Sequence, residues 1–152
     1  MEIIEAAGDD TALIKTAGEI HSISWRDSHK AFCTPEFLDL HSPERQTEYI
    51  SGEIKAGKRL FICLSDGKAV GIVTVFGSMI ENLYVLPEYQ RKGFGTALLL
   101  FAADKCKSSA TLWVLENNKE AQALYARKGF LPTGNRNAIT ETLDEIEMAQ
   151  IS

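Results

Sequence analysis

The chain has 152 residues, 45% of them hydrophobic and 24% charged, with a formal net charge of -5. That size suits one domain over residues 1–152, and the apolar fraction can offset chain entropy, so intrinsic disorder is disfavoured. An acidic balance without a polybasic run argues against nucleic acid or a membrane surface as partner.

Residues 2–5 read as a first strand. From 11 to about 24, Leu13, Ile14, Ala17 and Ile20 recur at helical spacing. Residues 24–43 are the least periodic and the richest in aromatic, His and Pro residues, which reads as a loop or a short helical excursion. Ser42-Pro43-Glu44 is a helix start, with Ser as N-cap and Pro at the first helical position. That helix runs to about 55 and stops at Gly57. Residues 60–64 form an apolar strand around Cys63. Asp66-Gly67 is a hairpin signal, and 70–76 and 80–86 follow as strands. Residues 93–107 form a buried helix opened by glycines. Residues 111–115 form a strand, and Asn118, with Asn117 competing for the role, caps a helix that ends at Gly129. Phe130-Leu131 and residues 141–151 supply the last two strands. The expected class is α/β (α+β) around one mostly antiparallel sheet.

Cys33, Cys63 and Cys106 are odd in number and widely spaced, with no zinc-site spacing, so reduced thiols and no metal are expected. The longest apolar stretch, 97–103, is far short of the roughly 20 residues a bilayer requires. The start MEIIEAAGDD lacks the pattern of a signal peptide. These features set the expectation of a soluble, cytoplasmic protein. His21 and His41 have no visible partner and read as surface or capping residues.

The most informative stretch runs from Leu83 to Thr96. A buried strand ends at Pro87, a polar loop follows, and Gly93 and Gly95 open an apolar helix. The first N–H groups of a helix have no intrahelical partner, and the peptide dipoles add partial positive charge there. Glycines let a ligand come close, and Arg91 and Lys92 add full charges. This chemistry suits a phosphate or diphosphate; a tight strand-to-helix turn without ligand is the other reading. A dinucleotide fingerprint is excluded because Leu98 stands where a third glycine belongs. A Walker loop is excluded because Lys92 precedes Gly93.

Gln90-Arg91-Lys92-Gly93-Phe94-Gly95 matches the Q/R-x-x-G-x-G/A signature of the GCN5-related N-acetyltransferase (GNAT) superfamily, and Leu83-Tyr84-Val85-Leu86-Pro87 resembles that family's fourth strand. Leu112 to Asn118, with Ala121, Leu124-Tyr125 and Lys128-Gly129-Phe130, is similar to its second motif block. The resemblance covers roughly residues 80–131. It implies a GNAT fold, a mixed sheet of six to seven strands flanked by about four helices, and acetyl-CoA as acyl donor. It further implies a diphosphate held by Gln90, Arg91, Lys92, Gly93, Phe94, Gly95 and Thr96. The pantetheine arm would lie along Leu83, Tyr84 and Val85 as an added strand would, where the strands 80–86 and 111–115 splay to admit it. A main-chain N–H near Val85 would stabilise the oxyanion.

Asn118 and Tyr125 are seven apart, two helical turns, so they share a face with the small Ala121 between them. The resemblance makes Asn118 a pantetheine contact and Tyr125 the acid that protonates the leaving thiolate. The other reading is a plain N-cap and a core aromatic. An amine acceptor must lose a proton. Glu81, two residues before Leu83 on the same strand, is the candidate base, with Glu116 in reserve; a solvent-facing Glu is the alternative. The acceptor pocket is expected to draw on Trp25 and His29, with Phe32 and Phe37 beside them and Asp27 and Asp39 attracting a cation. The aromatics could equally anchor a loop to the core. The leading function is transfer of acetyl to a primary amine of a small molecule in a ternary complex. The alternatives are a protein or peptide N-acetyltransferase and a non-catalytic acyl-CoA-binding module. A homodimer stays open.

Overall fold

A computed structural model describes residues 1–31 and 33–151. Among them, seven strands and five α-helices follow in the order β1 (Glu2–Ala6), α1 (Thr11–His29), α2 (Pro35–Asp39), α3 (Pro43–Lys55), β2 (Arg59–Ser65), β3 (Lys68–Phe76), β4 (Met79–Val85), a 3-10 turn (Pro87–Tyr89), α4 (Phe94–Lys105), β5 (Thr111–Leu115), α5 (Lys119–Arg127), β6 (Phe130–Thr140) and β7 (Leu143–Gln150). The sheet order is β1-β2-β3-β4-β5-β7-β6. β4 and β5 are parallel, and the recorded β1–β2, β5–β7 and β6–β7 pairings are antiparallel. This is the mixed α/β sheet the sequence anticipates. No helix of the described residues is long and apolar enough to cross a membrane.

The chain divides into two compact units, residues 1–74 with 82–99, and residues 75–81 with 100–152. In the first, Asp10 caps α1 and Ser42 caps α3, each side chain accepting from a backbone N–H three residues on. Such caps satisfy donors that a helix start otherwise leaves orphaned. The buried face of α1, with Ile14, Ala17 and Ile20, joins Ile50 of α3 and Leu60, Ile62 and Ile72 of the strands in one apolar core. Gly18 lets the two helices meet closely, because a Cβ there would lie 2.1 Å from Thr47 Oγ1 and 2.6 Å from Thr47 Cα. The β2–β3 hairpin turns at Asp66 (φ 49) and Gly67 (φ 79), the left-handed pair that matches strand twist in a two-residue loop.

In the second unit, β4 and β5 pair through Met79↔Thr111 and Ile80↔Leu112. β5 is then covered along its length by β7, from Thr111↔Ala149 to Leu115↔Glu145. Ser78 ties this corner together, its Oγ lying 2.6 Å from Ser108 Oγ and its carbonyl accepting the Thr111 N–H.

Four elements depart from the sequence expectation. Helix α1 runs to His29 rather than about Ser24, so Trp25 and His29 lie on its last turns and not in a loop. The polar Ser22 and Ser24 hide the helical pattern because both are buried. The segment 24–43 therefore shrinks to a connection that carries α2. The helix expected over 93–107 starts at Phe94, ends at Lys105 and exposes one side, with Leu100 45% exposed. β6 extends to Thr140 rather than stopping near Leu131, although Phe130 is its one buried residue. An exposed polar strand has no apolar alternation to announce it.

Candidate functional site

The loop before α4 has the backbone that the anion reading requires. Arg91 (φ 63) and Gly93 (φ 92) are both left-handed. Such turns aim successive N–H groups to one side, forming a concavity that suits anions. The first helical bond runs from Ala97 N–H to the Gly93 carbonyl. The N–H groups of Phe94, Gly95 and Thr96 thus precede the intrahelical ladder, and a glycine at the cap position has no side chain to fill it. A Cβ at Gly93 would meet nothing within 4 Å, so nothing crowds the turn on that side. Arg91 and Lys92 are exposed beside it. Lys92 Nζ lies 5.5 Å from the Tyr89 ring centroid and Lys68 Nζ 5.2 Å from the same ring. Lys68 on β3 is a third cation that the sequence reading missed, since only the fold brings it to Tyr89. Phe94 packs edge-on to Tyr89 at 6.1 Å.

The strand feeding this loop is fastened to it. Gln90 Nε2 donates to the Val85 carbonyl at 3.0 Å. The Gln90 side chain therefore holds the end of β4 to the loop, a role the motif alone does not disclose. Val85 is buried, and Leu83 and Tyr84 are half-buried. A Cβ added at Gly95 would lie 3.7 Å from Val85 Cγ2, an ordinary contact.

In the second unit, Asn118 caps α5, its Oδ1 accepting from Ala121 N–H at 3.1 Å. Gln122 Nε2 donates to the Leu115 and Glu116 carbonyls and pins the helix to the end of β5. Tyr125 lies on the same helix with its ring 6.2 Å from Phe130. Burial pushes its phenol up to about 12, because the phenolate would be desolvated. Glu81 is half-buried on β4. Glu116, the reserve base, has Oε1 in an ion pair with Arg136.

Trp25, His29 and Phe37, expected to line an acceptor pocket, form an aromatic cluster with His41. Trp25 is sandwiched between two imidazoles, His29 at 3.9 Å and His41 at 3.4 Å, both nearly parallel to it. Phe37 lies 5.8 Å from Trp25. His29 Nδ1 contacts the Trp25 carbonyl at 2.8 Å, and burial lowers the pKa of this imidazole. His41, expected without a partner, is thus part of the stack. Phe32 lies outside the described residues. Asp27 and Asp39 line an open cavity of about 410 Å³, but Arg26 and Lys30 line it too, and Lys30 Nζ sits 2.8 Å from Asp27. The cavity wall is therefore of mixed charge. Cys63 and Cys106 are free thiols whose pKa is raised by burial, which suits packing rather than nucleophilic chemistry.

His21 is the residue that sequence reading misplaced. It is 4% exposed and sits in a polar network. Its Nε2 lies 3.2 Å from Asn82 Oδ1, and its Nδ1 lies 2.9 Å from Gln46 Nε2. The signal was present, because Ile14, Ala17, His21 and Ser24 share one helical face.

A model described as "Acetyltransferase (GNAT) family" matches residues 19–130. No curated protein matches the chain. Among solved structures, the fold is shared with the PaiA N-acetyltransferase from Thermoplasma acidophilum in complex with coenzyme A, 21% identical with a TM-score of 0.72, covering 99% of this chain and 98% of that one. It is shared with the ribosomal-protein-alanine N-acetyltransferase from Brucella melitensis, at 16% identity and TM-score 0.67, with both chains covered in full. The spermidine N-acetyltransferase SpeG F149A mutant from Vibrio cholerae is also similar, at 19% identity and TM-score 0.68, covering 99% of this chain and 95% of that one.

Proposed function

The chain belongs to the acetyltransferase (GNAT) family, and on that premise we propose that it transfers acetyl from acetyl-CoA to a primary amine of a small molecule, directly and in a ternary complex. The observation that carries this reading is the left-handed turn at Arg91 and Gly93 ahead of the helix start, a backbone form that suits a diphosphate. Phe94, Gly95 and Thr96 would donate main-chain N–H groups to it, and Arg91 and Lys92 would neutralise its charge. The pantetheine arm would run beside Leu83, Tyr84 and Val85. Asn118 would contact that arm with the amide nitrogen that its capping role leaves over.

In the reaction the amine lone pair attacks the thioester carbonyl, and the Val85 N–H would steady the oxyanion that forms. The attacking nitrogen gives up a proton, which Glu81 would accept through water. The C–S bond then breaks, and the Tyr125 phenol would protonate the departing thiolate. A phenol at about 12 is a weaker acid than an ordinary thiol, whose pKa is roughly 8.5. The mismatch narrows in place, because the burial that discourages phenolate discourages thiolate as well. No covalent enzyme intermediate is needed, so the three cysteines stay outside the chemistry.

The spermidine acetyltransferase among the fold neighbours supports a small amine as acceptor. A protein N-terminus is the second reading, supported by the ribosomal-protein-alanine acetyltransferase. We place the reaction in the cytoplasm, without a metal. The deciding experiment measures acetyl-CoA turnover over amines, polyamines, amino acids and peptides. A small amine as best substrate is expected, and turnover confined to peptides overturns that choice. Tyr125→Phe should lower kcat by about a hundredfold while acetyl-CoA affinity holds; an unchanged kcat removes Tyr125 as the acid. Glu81→Gln should lose rate chiefly at low pH, where the amine is protonated. If its pH profile matches that of the parent protein, the base lies elsewhere.

A further inference from the structure

Asn82 stands in the middle of β4 with φ 51, the left-handed region. Asn is one of the few L-residues that visits it, at a cost that something nearby must offset. Here three side chains close around it, Thr74, His21 and Tyr49, with Gln46 behind His21. Asn82 Nδ2 donates to Thr74 Oγ1 at 3.0 Å, which fixes Oδ1 as the acceptor. His21 Nε2, at 3.2 Å, must then be the donor to that oxygen. This leaves His21 Nδ1 bare to accept from Gln46 Nε2 at 2.9 Å. Tyr49 adds a longer hydroxyl contact to the same Asn82 oxygen, at 3.4 Å. The His21 ring also packs 4.7 Å from that of Tyr84, two residues further along the strand. Every donor meets an acceptor in one direction only, Gln46 to His21 to Asn82 to Thr74. Gln46, His21 and Thr74 are buried, at 7%, 4% and 0% exposure, so an unmatched group in this chain would be costly.

We infer that His21, oriented by Gln46, is a positioning residue that holds Asn82 in its left-handed backbone and so sets the course of Leu83, Tyr84 and Val85 for the pantetheine arm. A left-handed residue inside a strand redirects the chain that follows, as bulges do beside active sites. Those three residues are the segment that, on the reading above, runs beside the carrier, and the inference rests on that reading. Neutral imidazole is built into the geometry, since a proton on Nδ1 would face the Gln46 donor. His21 therefore acts through β4 and exchanges no proton with substrate.

The test compares two probes, acetyl-CoA and adenosine diphosphate. Both carry a diphosphate, but only the first has the pantetheine arm. His21→Phe keeps the ring and removes both hydrogen bonds. It should weaken acetyl-CoA binding about tenfold, measured by calorimetry, while adenosine diphosphate binding holds. Asn82→Ala should repeat that split. Asn82→Gly should recover most of the affinity, because glycine takes positive φ without help. Variants that bind acetyl-CoA as the parent does overturn the inference. So does an equal loss for both probes, which a purely structural role would produce, and so does Asn82→Gly as weak as Asn82→Ala. If the parent protein binds neither probe, the site reading itself fails, and that result is distinct from all the others.

Discussion

The two compact units keep their shape by different means. In residues 1–74 with 82–99, two helices touch at Gly18 and Thr47, an apolar core closes over β1–β3, and a polar chain is sealed inside. In residues 75–81 with 100–152, the β6–β7 hairpin is a ladder whose first strand buries only Phe130. The charges of this hairpin face water: Arg136 pairs with Glu116 and Asp144, each partner substantially exposed. The first unit should therefore answer to volume and to protonation, and the exposed hairpin of the second far less to either. Close-packed interiors have no slack for an added methyl, whereas an exposed ladder depends on backbone bonds that side-chain changes leave intact.

The harshest challenge to that contrast is Gly18→Ala. The new Cβ collides with Thr47 backbone as well as its side chain, so the helices must part. Destabilisation of about 3 kcal/mol is expected, at the upper end for overpacking. Gly52→Ala on α3 is the control, because nothing lies within 4 Å of its Cβ. That change should stabilise by up to about 1 kcal/mol through helix propensity. Thermal melts of the two variants decide the matter. Equal melting would mean that the α1–α3 contact yields, and the contrast between the units would lose its main support.

Next in size is the response to acid. Burial lowers the pKa of His21 to about 4, with the nearby His41 and His29 charges acting in the same direction. Between the ordinary value of 6.5 and about 4, the unfolded chain binds a proton that the folded one refuses. Stability should therefore fall as pH drops through that window, by roughly 3 kcal/mol in all, and stay flat above it. His29, lowered by burial too, adds to the same slope. Denaturant unfolding at pH 7 and pH 4.5 measures the loss. His21→Gln should remove most of it, and an unaltered slope in that variant would place the acid-sensitive group elsewhere.

The parts legible in the sequence were those whose physics is local. Ser42 and Asn118 cap helices because a cap answers N–H groups three residues away. Asp66-Gly67 turns because its two residues accept left-handed backbone. The Gly93 turn was readable for the same reason, and with it the family. The His21 network was not, since its bonds span 25 and 61 residues. A buried histidine also looks like any other until its partners are known. Trp25 and His29 fall in an aperiodic stretch of sequence yet stand on α1, because buried Ser22 and Ser24 break the apolar rhythm of that helix. Lys68 reaches Tyr89, next to the Gly93 turn, only because a hairpin carries it back there. Glu116 looked available as a base until β7 and β6 brought Arg136 to it.

The smallest expected effect tests the other half of the contrast. Arg136→Ala deletes a guanidinium whose Nη2 lies 2.6 Å from Glu116 Oε1 and whose Nε lies 3.1 Å from Asp144 Oδ2. Exposed pairs of this kind gain little, because water competes for both partners and two long side chains lose freedom in meeting. Salt should erase what remains, since screening acts over about 8 Å at physiological ionic strength. Melting curves of parent and variant should differ slightly at low salt and coincide at high salt. A large gap that persists in salt would show the hairpin to be held by its charges rather than by its backbone ladder. Glu116 and Asp144, left facing each other without a cation, would then have to be counted as part of what keeps β5 and α5, and so Tyr125, in place.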